Sequence, residues 1–205
     1  MRAYDDIMFG AQTRALQEAA SSREANAARY RHLGPRGLGP DEWAFLADRT
    51  SIYIASLTEE GWPYIQHRGG PKGFLRQVGP QTIGMSDYRG NRQFITQGNL
   101  IRDDRVSVFA MDYARKARLK IQGRARMVPV EADVELAGQV AVDGQGRVER
   151  LLTIEVEATD WNCPQFITPH FDEAQIAAML GPEISRQQDR IKSLEARLRA
   201  LGETP

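Results

Sequence analysis

Seven short segments rich in β-branched and aromatic residues follow one another between residues 51 and 159, and one full helix interrupts them. The first two, Ser51–Thr58 and Trp62–Arg68, are separated by a turn at residues 59–61 and predict a β-hairpin. The other predicted strands are 74–78, 82–86, 105–113, 119–130 and 148–159. Because a doubly wound parallel sheet needs a helix after nearly every strand, we predict a mostly β (α+β) fold, either a barrel or a partly split barrel.

The segments around these strands predict peripheral helices. Alanines and apolar residues recur at helical spacing from Tyr4 to Tyr30, and the glycine- and proline-rich stretch that follows predicts a linker. We expect Asp41 to be the N-cap of a short helix, and we expect another short helix at 172–180 to end at Gly181 and Pro182. The predicted organisation is a helical extension and linker at 1–40, a β domain at 41–180 and an amphipathic helix at 181–205.

The last helix carries a heptad pattern. Its a and d positions are Ile184, Gln187, Ile191, Leu194, Leu198 and Leu201, of which only the glutamine is polar. Two and a half heptads are short for an independent coiled coil. The stripe therefore has two interpretations that the sequence leaves open, which are packing on its own domain and formation of a dimer.

Charge and composition exclude several functional classes. Lysine plus arginine equals aspartate plus glutamate at 27 each, so no overall field attracts nucleic acid or an anionic membrane. No stretch approaches the roughly 20 apolar residues of a membrane span, and none resembles a signal peptide. One cysteine and three scattered histidines predict neither a disulfide nor a metal site. We expect a soluble, cytoplasmic protein.

The stretch Ser86–Leu100 has the order in which proteins build a phosphate cradle: a strand, then a basic turn that contains glycine, then a helix. Arg89 and Arg92 supply positive charge, and Gly90 permits close approach of the backbone. Asn91 is predicted to cap the helix, whose first N–H groups and dipole favour an anion.

Two further segments could meet this turn at one ligand. In Gln66–Gly73, the cations are Arg68 and Lys72; in Asp160–Gln165, Trp161 could stack on a planar ring and Gln165 could reach its polar edge. Neutral hydrogen bonds could come from Gln66, Ser86 and Asn91. The alternative is structural: Trp161 closes one end of the barrel, and the arginines pair with Asp87, Asp103 and Asp104.

The sequence gives little support for a nucleotide-binding motif or for a nucleophilic serine or cysteine. The glycines at 34, 37 and 39 lack the dinucleotide-binding order, and the segment GGPKG lacks the P-loop frame. The serines lack a GxSxG setting. Cys163 lies near His170 in sequence, but it adjoins a proline and has no evident orienting partner, so a nucleophilic role has little support.

Taken together, SIYIASLTEEGWPYIQHRGGPKGFLR, TIGMSDYRGNRQFITQGNLIRDDRVSVFAMDY, RLKIQGRARMV and DWNCPQFITP resemble the pyridoxamine 5′-phosphate oxidase-related proteins, over roughly residues 41 to 180. The resemblance implies an FMN-binding split barrel, with FMN at a homodimer interface. Implied phosphate contacts are Arg68, Lys72, Ser86, Asn91 and Arg92, in a turn that also holds Asp87, Arg89 and Gly90. Implied ring neighbours are Gln66 and His67, with Trp161 and Gln165 contributed by the partner subunit.

The resemblance has limits. The oxidase proper carries a strand like RxVLLK where this chain reads QHRGGPKGFLR, and the helical tail offers no match to its substrate-binding arginine and histidine. Oxidation of vitamin B6 is therefore not implied. The expected function is that of an FMN-dependent oxidoreductase of unknown substrate, with no catalytic acid or base required of the protein. Alternatives are a non-catalytic flavin- or haem-binding protein and a structural dimer module whose arginines are all paired.

Overall fold

The computed structural model describes residues 1–142, 146–161, 164–202 and 204, and seven strands of the chain form one antiparallel sheet. Their spatial order is β2-β1-β5-β6-β7-β4-β3. The strands are β1 Ser51–Leu57, β2 Pro63–Gly69, β3 Arg76–Gly79, β4 Thr82–Tyr88, β5 Arg105–Asp112, β6 Ala117–Pro129 and β7 Val148–Trp161. This confirms the mostly β prediction and the hairpin of the first two strands.

The sheet curls without closing. β2 is one edge strand and β4 lies next to the other edge, yet the Arg68 side chain on β2 donates a hydrogen bond to the Asp87 carboxylate on β4. Opposite ends of the sheet thus meet through side chains rather than through a backbone ladder. The result is the predicted split barrel, and its open seam runs between β2 and β4.

The barrel interior is filled by the inward-facing residues of alternating strands. On β1, Ile52 and Ile54 are each 1% exposed, whereas Tyr53 between them is 38% exposed, as the two-residue period of a strand requires. On β7, Leu152 and Ile154 are buried in the same cluster. Burial of such side chains is the main driving force for folding.

The chain also contains helices and divides into two compact units. The helices are α1 Tyr4–Met8, α2 Ala11–Ala19, α3 Arg23–Leu33, α4 Pro40–Ala47, α5 Ile95–Arg102, α6 Val134–Gln139 and α7 Glu173–Ala200, with a 3₁₀ turn at Val130–Ala132. The first unit comprises residues 1–112 and 117–165, and the second comprises 113–116 and 166–205. The division at residues 40 and 180 stays a prediction.

The N-terminal helices pack on β7. Tyr4 and Tyr30 form a small buried cluster with Ala158, and the Tyr30 hydroxyl donates to the Asp160 carboxylate at 3.4 Å. Burial, reinforced by the nearby Asp160 charge, raises the pKa of Tyr30 to about 12. Hydrogen bonds also tie this segment to the strand, since the Arg2 amide donates to the Glu157 carbonyl at 2.9 Å.

Two predicted helix boundaries are wrong. Helix α4 begins at Pro40 and its N-cap is Gly39, whose amide donates to the Glu42 carboxylate at 3.0 Å, so Asp41 is not the cap. Helix α7 does not end at Gly181 and Pro182. It continues through both residues and is 28 residues long in all. A proline opposes helix partly through a clash with the Cβ of the preceding residue, and glycine has no Cβ.

Within the described part of the chain, no helix is both long and apolar enough to cross a membrane. The same residues contain no cluster of three or more histidine, cysteine, aspartate or glutamate side chains that could hold a metal ion. Cys163, considered above as a nucleophile, and the middle of the predicted loop 141–147 lie outside the described residues.

Candidate functional site

The turn between β4 and α5 has an unusual backbone. Arg92 and Phe94 adopt left-handed conformations, with φ of 61° and 56°. These residues delay the helix, so α5 begins at Ile95 and its N-cap is Phe94. The prediction that Asn91 caps the helix is therefore wrong: its side-chain oxygen instead accepts the Gln93 amide at 3.2 Å, within the turn.

The first turn of α5 is open to an anion. The first N–H groups of a helix have no intrahelical partner, and among the described side chains none caps them here. Polar contacts hold this helix against the barrel: the Asn99 amide donates to the Ser56 hydroxyl at 2.8 Å, and the Thr96 hydroxyl donates to the Gln66 side chain. The dipole of α5 is therefore fixed with its positive end at the turn.

A pocket lies between the seam of the barrel and this helix end. Its walls come from β2, β4, the 88–94 turn, the first turn of α5 and single residues of β6 and β7. The lining residues are Tyr64, Gln66, Arg68, Asp87, Tyr88, Gly90, Asn91, Arg92, Gln93, Phe94, Ile95, Thr96, Gln97, Met127 and Arg150.

A buried carboxylate lies in the pocket wall. Asp87 is 3% exposed and accepts hydrogen bonds from Arg68 and, at 2.7 Å, from Arg150. Arg92 also lines the pocket and has no carboxylate within salt-bridge distance in the described structure; its guanidinium lies 5.9 Å from the Phe94 ring centre. Arg150 also pairs with Glu149 at 3.4 Å, so these three guanidinium groups have two carboxylate partners and the positive charge of Arg92 is in excess.

Two buried polar atoms of the lining lack partners. Neither Nε of Arg68 nor the hydroxyl of Tyr88 forms a hydrogen bond with any described residue. An unsatisfied buried donor costs about 1–3 kcal/mol, so an acceptor oxygen of a ligand or water that reached either atom would stabilise the wall of the pocket. A phosphate group has such oxygens and the negative charge that the surrounding guanidiniums match.

Half of the predicted site residues meet in this pocket. They are Gln66, Arg68, Asp87, Gly90, Asn91 and Arg92. Two of the three predicted segments, Gln66–Gly73 and Ser86–Leu100, are thereby brought to one place, because the curled sheet sets β2 beside β4 and the turn follows β4 directly; Asp160–Gln165 contributes no described residue to this lining. Arg68 also agrees with the alternative in which the arginines pair with acidic residues of the same chain, because its partner is Asp87.

The remaining predicted residues lie outside the pocket lining. His67 points to the opposite face of β2 from Gln66 and contacts the Tyr53 ring, at 5.7 Å between centres. Lys72 pairs with Asp48 at 3.3 Å. The Ser86 hydroxyl donates to the Val140 carbonyl at 2.9 Å.

The other three are Arg89, Trp161 and Gln165. Arg89 pairs with Glu149 at 3.7 Å and is half exposed. The Trp161 indole donates to Glu42 at 2.6 Å and packs edge-on against Phe45. Gln165 is exposed. Their ligand roles stay predictions.

Sequence reasoning missed Arg150, Tyr88 and Thr96. Arg150 lies directly opposite Asp87 in the antiparallel register of β4 and β7. Opposite charges often face each other across such a pair, so the correct pairing of the two predicted strands would have located it. Tyr88 and Thr96 lie within the predicted cradle Ser86–Leu100, but nothing in their residue types singled them out from its other members.

The fold and the pocket define the class: an open, curled antiparallel β-barrel with an arginine-lined pocket at its seam. Residues 41–161 match the sequence model of the pyridoxamine 5′-phosphate oxidase family, and the chain belongs to that family. The predicted family resemblance is thus confirmed. A comparison with curated protein sequences found no match.

Solved structures give similar barrels. HupZ of Group A Streptococcus is 19% identical, with 65% of this chain and all of that chain covered and a TM-score of 0.46. The conserved hypothetical protein Rv2991 of Mycobacterium tuberculosis is 17% identical, with 66% and 91% covered and a TM-score of 0.45. A pyridoxinephosphate oxidase family protein of Clostridium acetobutylicum, related to general stress protein 26, is 13% identical, with 60% and 85% covered and a TM-score of 0.44.

Proposed function

We propose that this protein is an FMN-dependent oxidoreductase that holds the flavin phosphate in the seam pocket. The observation that carries the proposal is the partner-free Nε of Arg68, which is buried in the pocket wall beside the uncapped first turn of α5. Family membership over residues 41–161 supports a flavin as the ligand. A phosphate is the ligand group that both features recognise.

The phosphate would be held by side chains and backbone together. Arg68 offers Nε, Arg92 offers a guanidinium with no acidic partner in the described structure, and Asn91 offers a side-chain amide. The first N–H groups of α5 complete the set. Asp87 keeps Arg68 and Arg150 in place, because both guanidiniums donate to its buried carboxylate.

Gln66 and Thr96, joined by a hydrogen bond, lie where the pocket wall passes from β2 to α5. In this proposal their amide and hydroxyl groups orient the cofactor. A bound flavin supplies the transfer of electrons, so the protein needs to bind, orient and shield it rather than to provide an acid or base.

We also propose a homodimer that covers this site. Two apolar side chains are exposed near the pocket: Phe94 is 44% exposed and Ile101 on α5 is 84% exposed. Exposed apolar groups grouped around a binding site are typical of an interface. In the dimer, Trp161 and Gln165 of one copy would approach the flavin of the other. The low cysteine content supports a cytoplasmic location.

The test is an absorption spectrum of the purified protein, with mass identification of any released chromophore. Flavin bands near ~370 and ~450 nm, bleached by a nicotinamide donor, would support the oxidoreductase, since the cofactor carries the redox step. Bound flavin that no donor reduces would favour a flavin carrier, and a Soret band would favour haem. A colourless protein that takes up no added FMN would overturn the proposal.

Variants locate the site. Arg92→Gln removes the guanidinium that has no acidic partner in the described structure, and Arg31→Gln is the matched control on α3, paired with Glu24 at 2.7 Å on the surface. Loss of one charge-assisted hydrogen bond costs about 1.5–3 kcal/mol, which is roughly 10- to 150-fold in affinity for FMN. Equal affinities of the two variants for FMN would show that Arg92 does not bind the phosphate.

A further inference from the structure

The heptad stripe of α7 is exposed in the single chain. Ile184, Ile191, Leu194 and Leu201 are between 47% and 76% exposed, and among the described residues of α7 none is buried. The stripe extends further toward the N-terminus than the sequence pattern predicted, because α7 continues through Pro182. Ala177 and Leu180 add an a and a d position.

A helix in this state lacks the usual source of stability. Most helices in proteins are held by packing of one apolar face, and helices without such packing are marginal in water. Pro182 weakens this helix further, since proline cannot donate the backbone hydrogen bond expected at its position. From Ala177 to Leu201 the stripe is about 37 Å long at 1.5 Å per residue, which is enough for a continuous helix–helix contact.

We propose that α7 pairs with α7 of a second copy as a parallel, in-register, two-stranded coiled coil. The side chains of the stripe favour this arrangement. Position a holds isoleucine at its two central places, Ile184 and Ile191, between Ala177 and Leu198, while position d holds leucine everywhere except at Gln187. In a parallel coiled coil, isoleucine at a with leucine at d favours two strands over three or four, and a single polar residue in the seam, here Gln187 at d, favours the register that pairs it with its own copy.

The flanking charges agree with the same alignment. In a parallel pair, a g residue on one helix faces the e residue five positions later on the other helix. Arg190 of each copy would therefore face Glu195 of the other copy, which gives two opposite-charge pairs. Arg190 has no carboxylate partner among the described residues, and Glu195, which pairs with Arg199 at 3.5 Å along its own helix, is still 41% exposed. An antiparallel pair would instead set g against g, where two of the three charged residues, Arg190 and Arg197, are arginines.

The proposal does not rest on the flavin site. It concerns only the second compact unit and selects the dimer from the two interpretations of the stripe. It also adds a contact between copies that is distinct from the proposed cover of the seam pocket.

Disulfide trapping in the full-length chain tests it. In a Cys163→Ser background, Gln187→Cys places two thiols face to face at d, whereas Ser185→Cys, a control two residues away, places them at b on the outside. Under mild oxidation we expect Gln187→Cys to form the covalent dimer at least about tenfold faster, because only paired thiols reach millimolar effective concentration. Equal rates, or no dimer from Gln187→Cys in protein of unchanged helicity, would overturn the proposal.

Charge reversal tests the register in the same background. Glu195→Arg sets like charges against Arg190 and should slow cross-linking of Gln187→Cys at low salt, and the double change with Arg190→Glu should restore it. Cross-linking that Glu195→Arg leaves unchanged would refute the parallel, in-register alignment.

Discussion

Replacing Asp87 by asparagine tests whether the seam depends on one buried carboxylate. Asp87 accepts hydrogen bonds from Arg68 on β2 and Arg150 on β7, and it is 3% exposed. The asparagine side chain would keep the size of the aspartate but would leave Arg68 without its counter-charge and Arg150 with only Glu149, at 3.4 Å. The contact that joins β2 to β4 would weaken most.

The structure sets the size of the effect. Removing one partner of a buried ion pair costs about 3–5 kcal/mol. The arginines here are still 19% and 16% exposed, so water can solvate part of their charge, and we expect about 2–3 kcal/mol. At roughly 2–4 °C per kcal/mol for a chain of this size, Tm should fall by about 4–12 °C.

Thermal unfolding followed by circular dichroism in a phosphate-free buffer is the assay. Asp103→Asn is the matched control: Asp103 pairs with Arg105, which is 66% exposed, and such a surface pair contributes at most about 1 kcal/mol. Inorganic phosphate should also raise Tm more for Asp87→Asn than for the wild type, because loss of the carboxylate makes the net charge of the pocket more positive by one. If Asp87→Asn unfolded at the same temperature as Asp103→Asn, the reasoning on the seam would be refuted.

Three further predictions concern stability. The pKa of Tyr30 is about 12 in the fold against 10 for the free side chain, so from pH 10 upward the unfolded chain loses this proton first and stability falls, by at most about 2.7 kcal/mol. Tyr30→Phe should remove that part of the alkaline decline in urea titrations; an unchanged decline would contradict the assignment. Gly123→Ala should lower the free energy of unfolding by about 1–3 kcal/mol, because the Cβ of the alanine would lie 2.4 Å from the Glu155 carbonyl oxygen. A Tm equal to that of the wild type would contradict this, because the neighbouring strand would then have moved at no cost. Pro182→Ala should raise the melting temperature of α7, since it restores a backbone donor, and calorimetry showing no change would contradict a helix that is continuous there.

The strands were predictable because their signal is local. In β1 and β7, apolar and polar residues alternate with the two-residue period of a sheet that is buried on one face, and the structure has strands there. The order of strands around the barrel and the position of the seam depend on contacts between residues that are far apart in sequence, so local patterns do not predict them. Arg68 and Asp87 were both named as site residues, but only the curled sheet shows that they form one pair.

The errors have identifiable causes. The helix after the basic turn was placed to follow Asn91, because asparagine is a good N-cap, but two residues with positive φ come first. Glycine followed by proline usually ends a helix, yet α7 passes through both. Arg150 was missed because its role depends on which strand lies beside β4, and the sequence does not show this.

The central claim is that the seam pocket binds the phosphate of a flavin, and the direct measurement is to compare the affinities of the purified protein for FMN and for riboflavin, which lacks the phosphate. Fluorescence titration should give at least about 100-fold tighter binding of FMN, from two charge-assisted hydrogen bonds of about 1.5 kcal/mol each. Arg92→Gln should reduce this ratio and leave the affinity for riboflavin unchanged. Equal affinity for FMN and riboflavin in the wild type would contradict the claim.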